Sequence, residues 1–203
     1  MTRTDIINGL IEKNGYKKYL EIGVRDYYIN CDKIECELKH CVDPSPENKC
    51  DYVMTSDDFF SNLDDDFKYD IIFIDGLHLT EQVDKDIENS LRHLNDNGSI
   101  VLHDCLPEQE SNQFRNPVIS QWTGDVWKSI IKLRTSNHDL LVRVVDTDWG
   151  CGVVTKSSNI ELLSIDLDLL DWNWFLQNYR KYIDVITIEE FNKIYLENEN
   201  IIS

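Results

Sequence analysis

Two apolar rhythms alternate along this chain. Ile6, Ile7, Leu10 and Ile11 fall on one face of a helix over residues 4–14, and Gly15 stops it. KKYLEIGV then predicts a short strand ending at Gly23. HCVDPSP (40–46) predicts a second strand, closed by its prolines. DYVMTSDDFF (51–60) reads as a third strand running into a helix start. In YDIIFIDG (69–76) the apolar residues are continuous, which predicts a strand buried on both faces. Val83, Ile87, Leu91 and Leu94 return to helical spacing within TEQVDKDIENSLRHLNDNG, with Gly98 just past the helix end. SIVLHDC (99–105) predicts a fifth strand and DVWKSIIKLR (125–134) another helix. DLLVRVVDTDWGCGVVTKS (139–157) reads as two strands joined by a tight turn near Trp149-Gly150. The tail, 168–200, reads as helical and carries Trp172, Trp174, Phe175, Tyr179, Phe191 and Tyr195. No repeat or linker interrupts the pattern.

Strands that alternate with helices imply a parallel sheet with right-handed crossovers, and the closing hairpin adds one antiparallel strand at an edge. Ligands of such sheets bind beyond the carboxyl ends of the strands. Four predicted strands end in polar groups: Glu21-x-Gly23, Asp43, Asp75 and His103-Asp104. Four such endings along one edge describe a site.

Composition narrows what that site serves. With 38 acidic against 20 basic residues the net charge is −18, a field that repels phosphate backbones and anionic membranes. Nucleic acid and lipid surfaces are therefore not expected partners. No stretch approaches the about 20 apolar residues that span a bilayer, and the N-terminus lacks the apolar core of a signal peptide, so the expected location is the cytoplasm. The six cysteines form no CxxC pair and no zinc-like spacing, and read as free thiols.

A strand followed by a glycine turn lets backbone N–H groups approach a ligand closely, and an acidic residue ending the next strand can accept both hydroxyls of a ribose. EIGV is neither GxGxxG nor a phosphate loop. A pyrophosphate would meet the Glu21 carboxylate there, whereas a ligand carrying an ammonium or sulfonium would be welcome.

YLEIGV, VDPSP, TSDDFF, FIDGLH followed by VDKDIENSLRHLNDNGSIVLHDC, then GDVWKSI and DWGCGVV together resemble the class I S-adenosylmethionine-dependent methyltransferases. More narrowly they resemble the branch containing metal-dependent sugar O-methyltransferases, over roughly residues 15–157. The resemblance implies an α/β fold: a doubly wound, mostly parallel, seven-stranded Rossmann-like sheet with one antiparallel edge strand and a helical C-terminal tail. It implies one methyltransferase domain over 1–203, with a core at about 15–157 and an extension at about 165–200. Glu21 and Gly23 would flank the methionine part of the cofactor, Asp43 would hold the ribose, and Ser56 and Asp57 would face the adenine. Asp57 also suits a helix start.

Asp75 and Asp104 end strands inferred to be neighbours, about 5 Å apart. Two carboxylates that close repel each other, and a divalent cation relieves this; oxygen ligands favour Mg²⁺ or Mn²⁺. Asp75 and Asp104 are the first expected ligands and His103 the second choice. His78 lies on the loop beyond Asp75 with an ordinary pKa suited to a general base, although Thr80 or His78 itself could instead serve the start of the following helix. Trp122, Trp127 and Trp149 would line an acceptor pocket or pack in the core. The aromatic tail would form a helical cap or a surface for a second copy. The expected activity is methyl transfer to a sugar hydroxyl of a glycan or small glycoside, with catalysis by His78 and Asp75. The alternatives are a small-phenol O-methyltransferase and a non-catalytic protein that binds cofactor or glycan.

Overall fold

A computed structural model of the chain describes residues 1–197. The apolar run at 71–74 belongs to β3 (Tyr69–Ile74), which is flanked on both sides within a seven-stranded sheet. The other strands are β1 (Lys18–Ile22), β2 (Leu38–Val42), β4 (Leu94–Leu102), β5 (Leu140–Val145), β6 (Cys151–Lys156) and β7 (Val185–Ile186). Their order is β2-β1-β3-β4-β6-β5-β7. All neighbours are parallel except those of β6, which runs antiparallel to β4 and β5. The sheet is thus mostly parallel, with its one antiparallel strand contributed by the closing hairpin.

Helices cover both faces: α1 (Arg3–Asn14), α2 (Ser56–Asn62), α3 (Thr80–Arg92), α4 (Val126–Ser136), α5 (Trp172–Tyr182) and α6 (Ile188–Phe191). Alternate residues of β3 enter opposite cores, as a strand's two-residue period requires. Ile72 and Ile74 pack with Val83, Ile87, Ile130 and Trp127, while Ile71 and Phe73 pack with Ile6, Ile7, Leu10 and Phe191. The chain steps outward from β1 to β2, then back across β1 to β3 and β4. The direction reverses between β1 and β3, and the crevice at their carboxyl ends is where such sheets take ligands.

Several boundaries differ from the sequence expectation. The third strand of 51–60 does not form: Tyr52 makes a single bridge to Val42, and the chain enters α2 at Ser56 behind the Thr55 cap. The stretch is short and lies beyond the edge strand β2, and its apolar residues Tyr52, Met54, Phe59 and Phe60 are covered by packing in or against the core rather than by strand pairing. Gly98 is not a helix stop. α3 ends at Arg92, and Gly98 lies inside β4, which starts at Leu94 rather than 99 and stops at Leu102 rather than 105. A Cβ at Gly98 would stand 2.7 Å from the Asp70 carbonyl oxygen, so this glycine serves close strand packing. Thr80 does not cap α3 with its side chain; its N–H and hydroxyl are instead bound by the distant Asp125, 2.8 and 2.9 Å away. The tail is not wholly helical, since Val185-Ile186 adds β7 to β5. A π-helical turn, Asn192–Leu196, follows α6. Residues 198–200 of the expected helix lie outside the described residues. Trp127 belongs to the core, fully buried, with ring centroids 6.0 Å from Trp174 and 5.0 Å from Phe175.

That stack ties the tail to α4. Trp127→Ala should lower stability by about 3–5 kcal/mol, the usual cost of emptying an aromatic site, as read by urea unfolding. A loss below about 1 kcal/mol would show that the tail does not pack on α4 as described.

Candidate functional site

Gly23, at the end of β1, makes a close backbone approach in the crevice. Its φ is +88°, and a Cβ there would lie 2.2 Å from the Asp75 carbonyl oxygen. Only glycine lets the loop after β1 rest on the end of β3. Asp43, ending β2, holds the other side of this loop. Its Oδ2 accepts the Val24 N–H at 2.7 Å and its Oδ1 the Ser45 N–H at 2.8 Å. A carboxylate oxygen has further lone-pair sites, so these bonds orient the group without exhausting it. Glu21 is buried beside them and accepts on Oε2 from the Tyr19 hydroxyl (2.5 Å) and from Asn30 (3.0 Å). Burial pushes its carboxyl up to about 7 against the opposing pull of those two donors.

Beyond Ile74 and Leu102, paired across β3 and β4, come Asp75 and His103-Asp104. Asp104 adopts φ +61°, a left-handed conformation uncommon outside glycine. Strand alternation ends at this point, so His103 and Asp104 turn toward the same neighbours. His103 Nδ1 lies 3.2 Å from Asp75 Oδ1 and 3.3 Å from Asp104 Oδ1, and its Nε2 lies 3.5 Å from Asp148 Oδ1. His78 Nε2 is 3.3 Å from Asp75 Oδ1, while its Nδ1 is 3.0 Å from the Trp122 carbonyl oxygen and 3.3 Å from Asp104 Oδ2. The Trp122 ring stacks on the imidazole at 5.1 Å. Behind His78 stands Gly124 (φ +55°), where a Cβ would fall 1.8 Å from the His78 carbonyl oxygen. This second glycine lets the loop before α4 support the histidine.

The charges explain each other. Burial alone would raise Asp75, but His103 and His78 outweigh it and hold the carboxyl well below its ordinary range. Burial alone would lower both histidines, but Asp75 and Asp104 around His78, and Asp75, Asp104 and Asp148 around His103, raise them instead. His103 in turn holds Asp148 down to about 2.

The structure thus brings Glu21, Gly23, Asp43, Asp75, His78, His103 and Asp104 around one cavity of about 970 Å³. Ser56 and Asp57 also line it, though each is engaged: Ser56 donates to Asp86 at 2.6 Å, and Asp57 pairs with Gln82 and Lys85 at 3.1 and 3.2 Å. Trp122 and Trp149 line it; Trp127 does not. Asp75, His78 and Asp104 each place a donor atom within 4.8 Å of the others, an arrangement able to hold a cation, whereas His103 groups with Asp148 and Cys151. A smaller depression of about 630 Å³, between α2 and α3, lies away from the strand ends.

Sequence reasoning missed Arg3 and Asp148. Arg3, on α1, donates from Nη1 to Asp75 Oδ2 at 3.0 Å, and its Nε is 3.4 Å from Asp148 Oδ2. An arginine opening an amphipathic helix carries no local sign of this. Asp148 was legible only as part of the turn before Trp149-Gly150, and its φ of +47° belongs to that turn.

Comparison with known proteins agrees with this architecture. Residues 38–105, about a third of the chain, match the family described as a methyltransferase domain. That segment runs from β2 through Asp75, His78 and Asp104. The fold is a methyltransferase fold. A candidate caffeoyl-CoA O-methyltransferase of Staphylococcus aureus matches it with TM-score 0.56 and 19% identity, over 76% of this chain and 82% of that one. An O-methyltransferase of Bacillus cereus, solved with SAH, gives 0.55 and 14% over 76% and 80%. TomG of Streptomyces achromogenes, an O-methyltransferase involved in tomaymycin synthesis and solved with SAM, gives 0.58 and 10% over 77% and 80%. No curated protein matches the sequence at a significant level. Among the described residues no helix is long and apolar enough to cross a membrane.

Glu21 makes the crevice sensitive to pH. Its carboxyl binds a proton more tightly in the folded chain (about 7) than at its ordinary value of 4.5. Between those values the folded state carries the extra proton, so stability falls as pH rises through the window, by at most about 3 kcal/mol. Urea unfolding at a series of pH values should show this fall in the wild type and a flatter dependence in Glu21→Gln. Identical slopes in the two proteins would remove Glu21 as the cause.

Proposed function

We propose that the chain transfers the methyl group of S-adenosylmethionine to a hydroxyl of a small-molecule acceptor, and that this hydroxyl belongs to a sugar. One observation carries the reading: the ribose-suited Asp43 and the Asp75–His78–Asp104 group line the same cavity. A cofactor seated at Asp43 would therefore extend toward the group able to activate an acceptor. The acid-rich lining suits a sulfonium and disfavours acceptors bearing phosphate. Trp122 and Trp149 offer apolar faces of the kind that stack on sugar rings. We assign the whole chain, 1–203, to one methyltransferase domain working in the cytoplasm.

The residues divide the work. Asp43 accepts from the ribose hydroxyls, Glu21 and Gly23 border the methionine part, and Ser56 and Asp57 the adenine. The Trp122 carbonyl accepts from Nδ1–H of His78, which fixes the tautomer and leaves Nε2 to take the acceptor's proton. Asp75, beside Nε2, stabilises the imidazolium that results. The donors of Asp75 and Asp104 fit a divalent cation such as Mg²⁺ or Mn²⁺, with His103 behind them. When bound, such a cation supplies Lewis acidity that lowers the hydroxyl's pKa. The remaining task is alignment: methyl transfer is an in-line displacement, and holding the oxygen against the methyl carbon is the larger part of catalysis.

Calorimetry should detect S-adenosylhomocysteine binding, weakened by about 1–3 kcal/mol in Asp43→Ala, the cost of leaving polar groups unpaired. Absence of wild-type binding at millimolar ligand would end the methyltransferase reading. His78→Ala should leave that binding intact and slow methyl transfer by about 10²–10⁴-fold, the usual share of a general base; an unchanged rate would move the base elsewhere. Chelation with EDTA should abolish transfer and Mg²⁺ or Mn²⁺ restore it. Full activity after chelation would mean that Arg3, His78 and His103 suffice to balance the two carboxylates.

A further inference from the structure

His103 has a second ring nitrogen that the ion pairs around Asp75 leave unused. Its Nδ1 faces Asp75 and Asp104, but its Nε2 is buried and makes no hydrogen bond among the described residues. The residue is only 5% exposed, so water does not readily serve that nitrogen either, and a buried polar atom left this way is costly. Asp148 Oδ1 stands 3.5 Å from Nε2. That is long for an N–H···O bond, which closes at about 2.7–3.2 Å. It matches two ligands of one tetrahedral zinc ion, which at about 2.0–2.2 Å from the metal sit roughly 3.3–3.5 Å apart. A third donor is in place: Cys151, fully buried, forms with His103 and Asp148 a group whose donor atoms all lie within 4.8 Å of one another. The fold explains the meeting. Leu102 pairs with Gly152 across β4 and antiparallel β6, so His103 and Cys151 are the next residues at that end of the ladder. Cys151 belongs to the core on the α1 side of the sheet, and the His103 ring meets Phe73 of that core edge-on at 6.2 Å. The β5–β6 turn carries Asp148 over both.

We propose that His103 Nε2, Asp148 Oδ1 and Cys151 Sγ bind a zinc ion, at a site distinct from the Asp75–His78–Asp104 group. A thiolate, an imidazole and one carboxylate favour zinc over Mg²⁺ or Mn²⁺, the opposite preference to that of paired carboxylates. The surroundings already orient two of the ligands. A zinc-bound imidazole donates its other N–H to a carboxylate or carbonyl, and Nδ1 of His103 has Asp75 and Asp104 for this. Arg3 Nη1, 3.0 Å from Nδ1, has Asp75 Oδ2 as its own acceptor. Asp148 Oδ2 accepts the Arg3 backbone N–H at 2.8 Å and lies 3.4 Å from Arg3 Nε, which leaves Oδ1 for the metal. The Cys151 thiolate and the Asp148 carboxylate balance the charge of the ion. A water takes the fourth position from the side of Asp148, whose side chain is 18% exposed. The ion ties the end of β4 to the β5–β6 turn, to which the start of α1 is also pinned through the Thr147 hydroxyl and the Met1 carbonyl. This role is structural and does not depend on methyl transfer.

Titration of the metal-stripped full chain with Co²⁺, in excess Mg²⁺, reads the site optically. Tetrahedral Co²⁺ on a thiolate shows a sulfur-to-metal charge-transfer band and strong visible bands, and a site of carboxylates and water does not. The wild type should develop these bands with one equivalent of Co²⁺ and lose them to one equivalent of Zn²⁺. Cys151→Ser should abolish the charge-transfer band. Asp148→Asn should weaken Co²⁺ binding at least about tenfold. Asparagine tolerates the left-handed backbone at this turn, where φ is +47°, so this variant keeps its fold if Cys151→Ser does not. His78→Ala and Cys50→Ser should give the wild-type spectrum and affinity. No charge-transfer band in the wild type would overturn the proposal. A band that survives Cys151→Ser would place the metal on another thiol and overturn it as well, as would unchanged Co²⁺ affinity in Asp148→Asn. Loss of the band in His78→Ala would mean that the two groups form one site, against the proposal.

Discussion

Asp75 sits where β3 leaves the core, and three other segments of the chain converge on its two oxygens. Arg3 comes from α1, His78 from the loop before α3, and His103 from the end of β4. A carboxylate this enclosed is tolerated only when its charge is met at close range, because burial penalises an isolated ion by several kcal/mol. Each partner in turn leans on another acid: Arg3 and His103 on Asp148, His78 and His103 on Asp104. The ends of β3 and β4, the β5–β6 turn and the first turn of α1 are thereby set relative to one another by a single charge network. Removing one member would leave the others unbalanced, so the network specifies this arrangement more than it adds stability.

Two glycines make the network accessible to a ligand. Gly23 brings the loop after β1 down onto Asp75, and Gly124 brings the loop before α4 down onto His78. These approaches shape the floor and one wall of the cavity, while Trp122 and Trp149 supply apolar surface beside them. The cavity floor is charged and braced by these ion pairs, and Leu77, half exposed in the loop that carries His78, also lines the cavity. This division suits a cofactor held by fixed polar groups and an acceptor recognised by shape.

Much of this was legible in the sequence because it is local. The apolar run before Asp75 can only be a doubly buried strand, and the polar ends of four strands announced the edge at which Glu21, Asp43, Asp75, His78 and Asp104 meet. What was not legible is long-range. Arg3 lies 72 residues from Asp75 and 145 from Asp148 in sequence, and neither its helix nor its neighbours signals the contact. Capping of α3 by Asp125 was hidden for the same reason, and Thr80 looked like the local solution. Gly98 misled in the other direction: a glycine after an amphipathic helix reads as a stop, yet this one is needed inside β4 by the backbone beside it. The shared direction of His103 and Asp104 was not legible either, because it follows from β4 ending at Leu102 and from the left-handed conformation of Asp104, which the pattern does not encode.

The most direct test of the account is a crystal structure of the chain with S-adenosylhomocysteine. The account predicts the ribose hydroxyls on Asp43, the methionine part beside Glu21 and Gly23, and the sulfur facing the space bounded by Asp75, His78 and Asp104. A ligand bound outside the crevice between β1 and β3, or one whose sulfur faces away from that group, would contradict it.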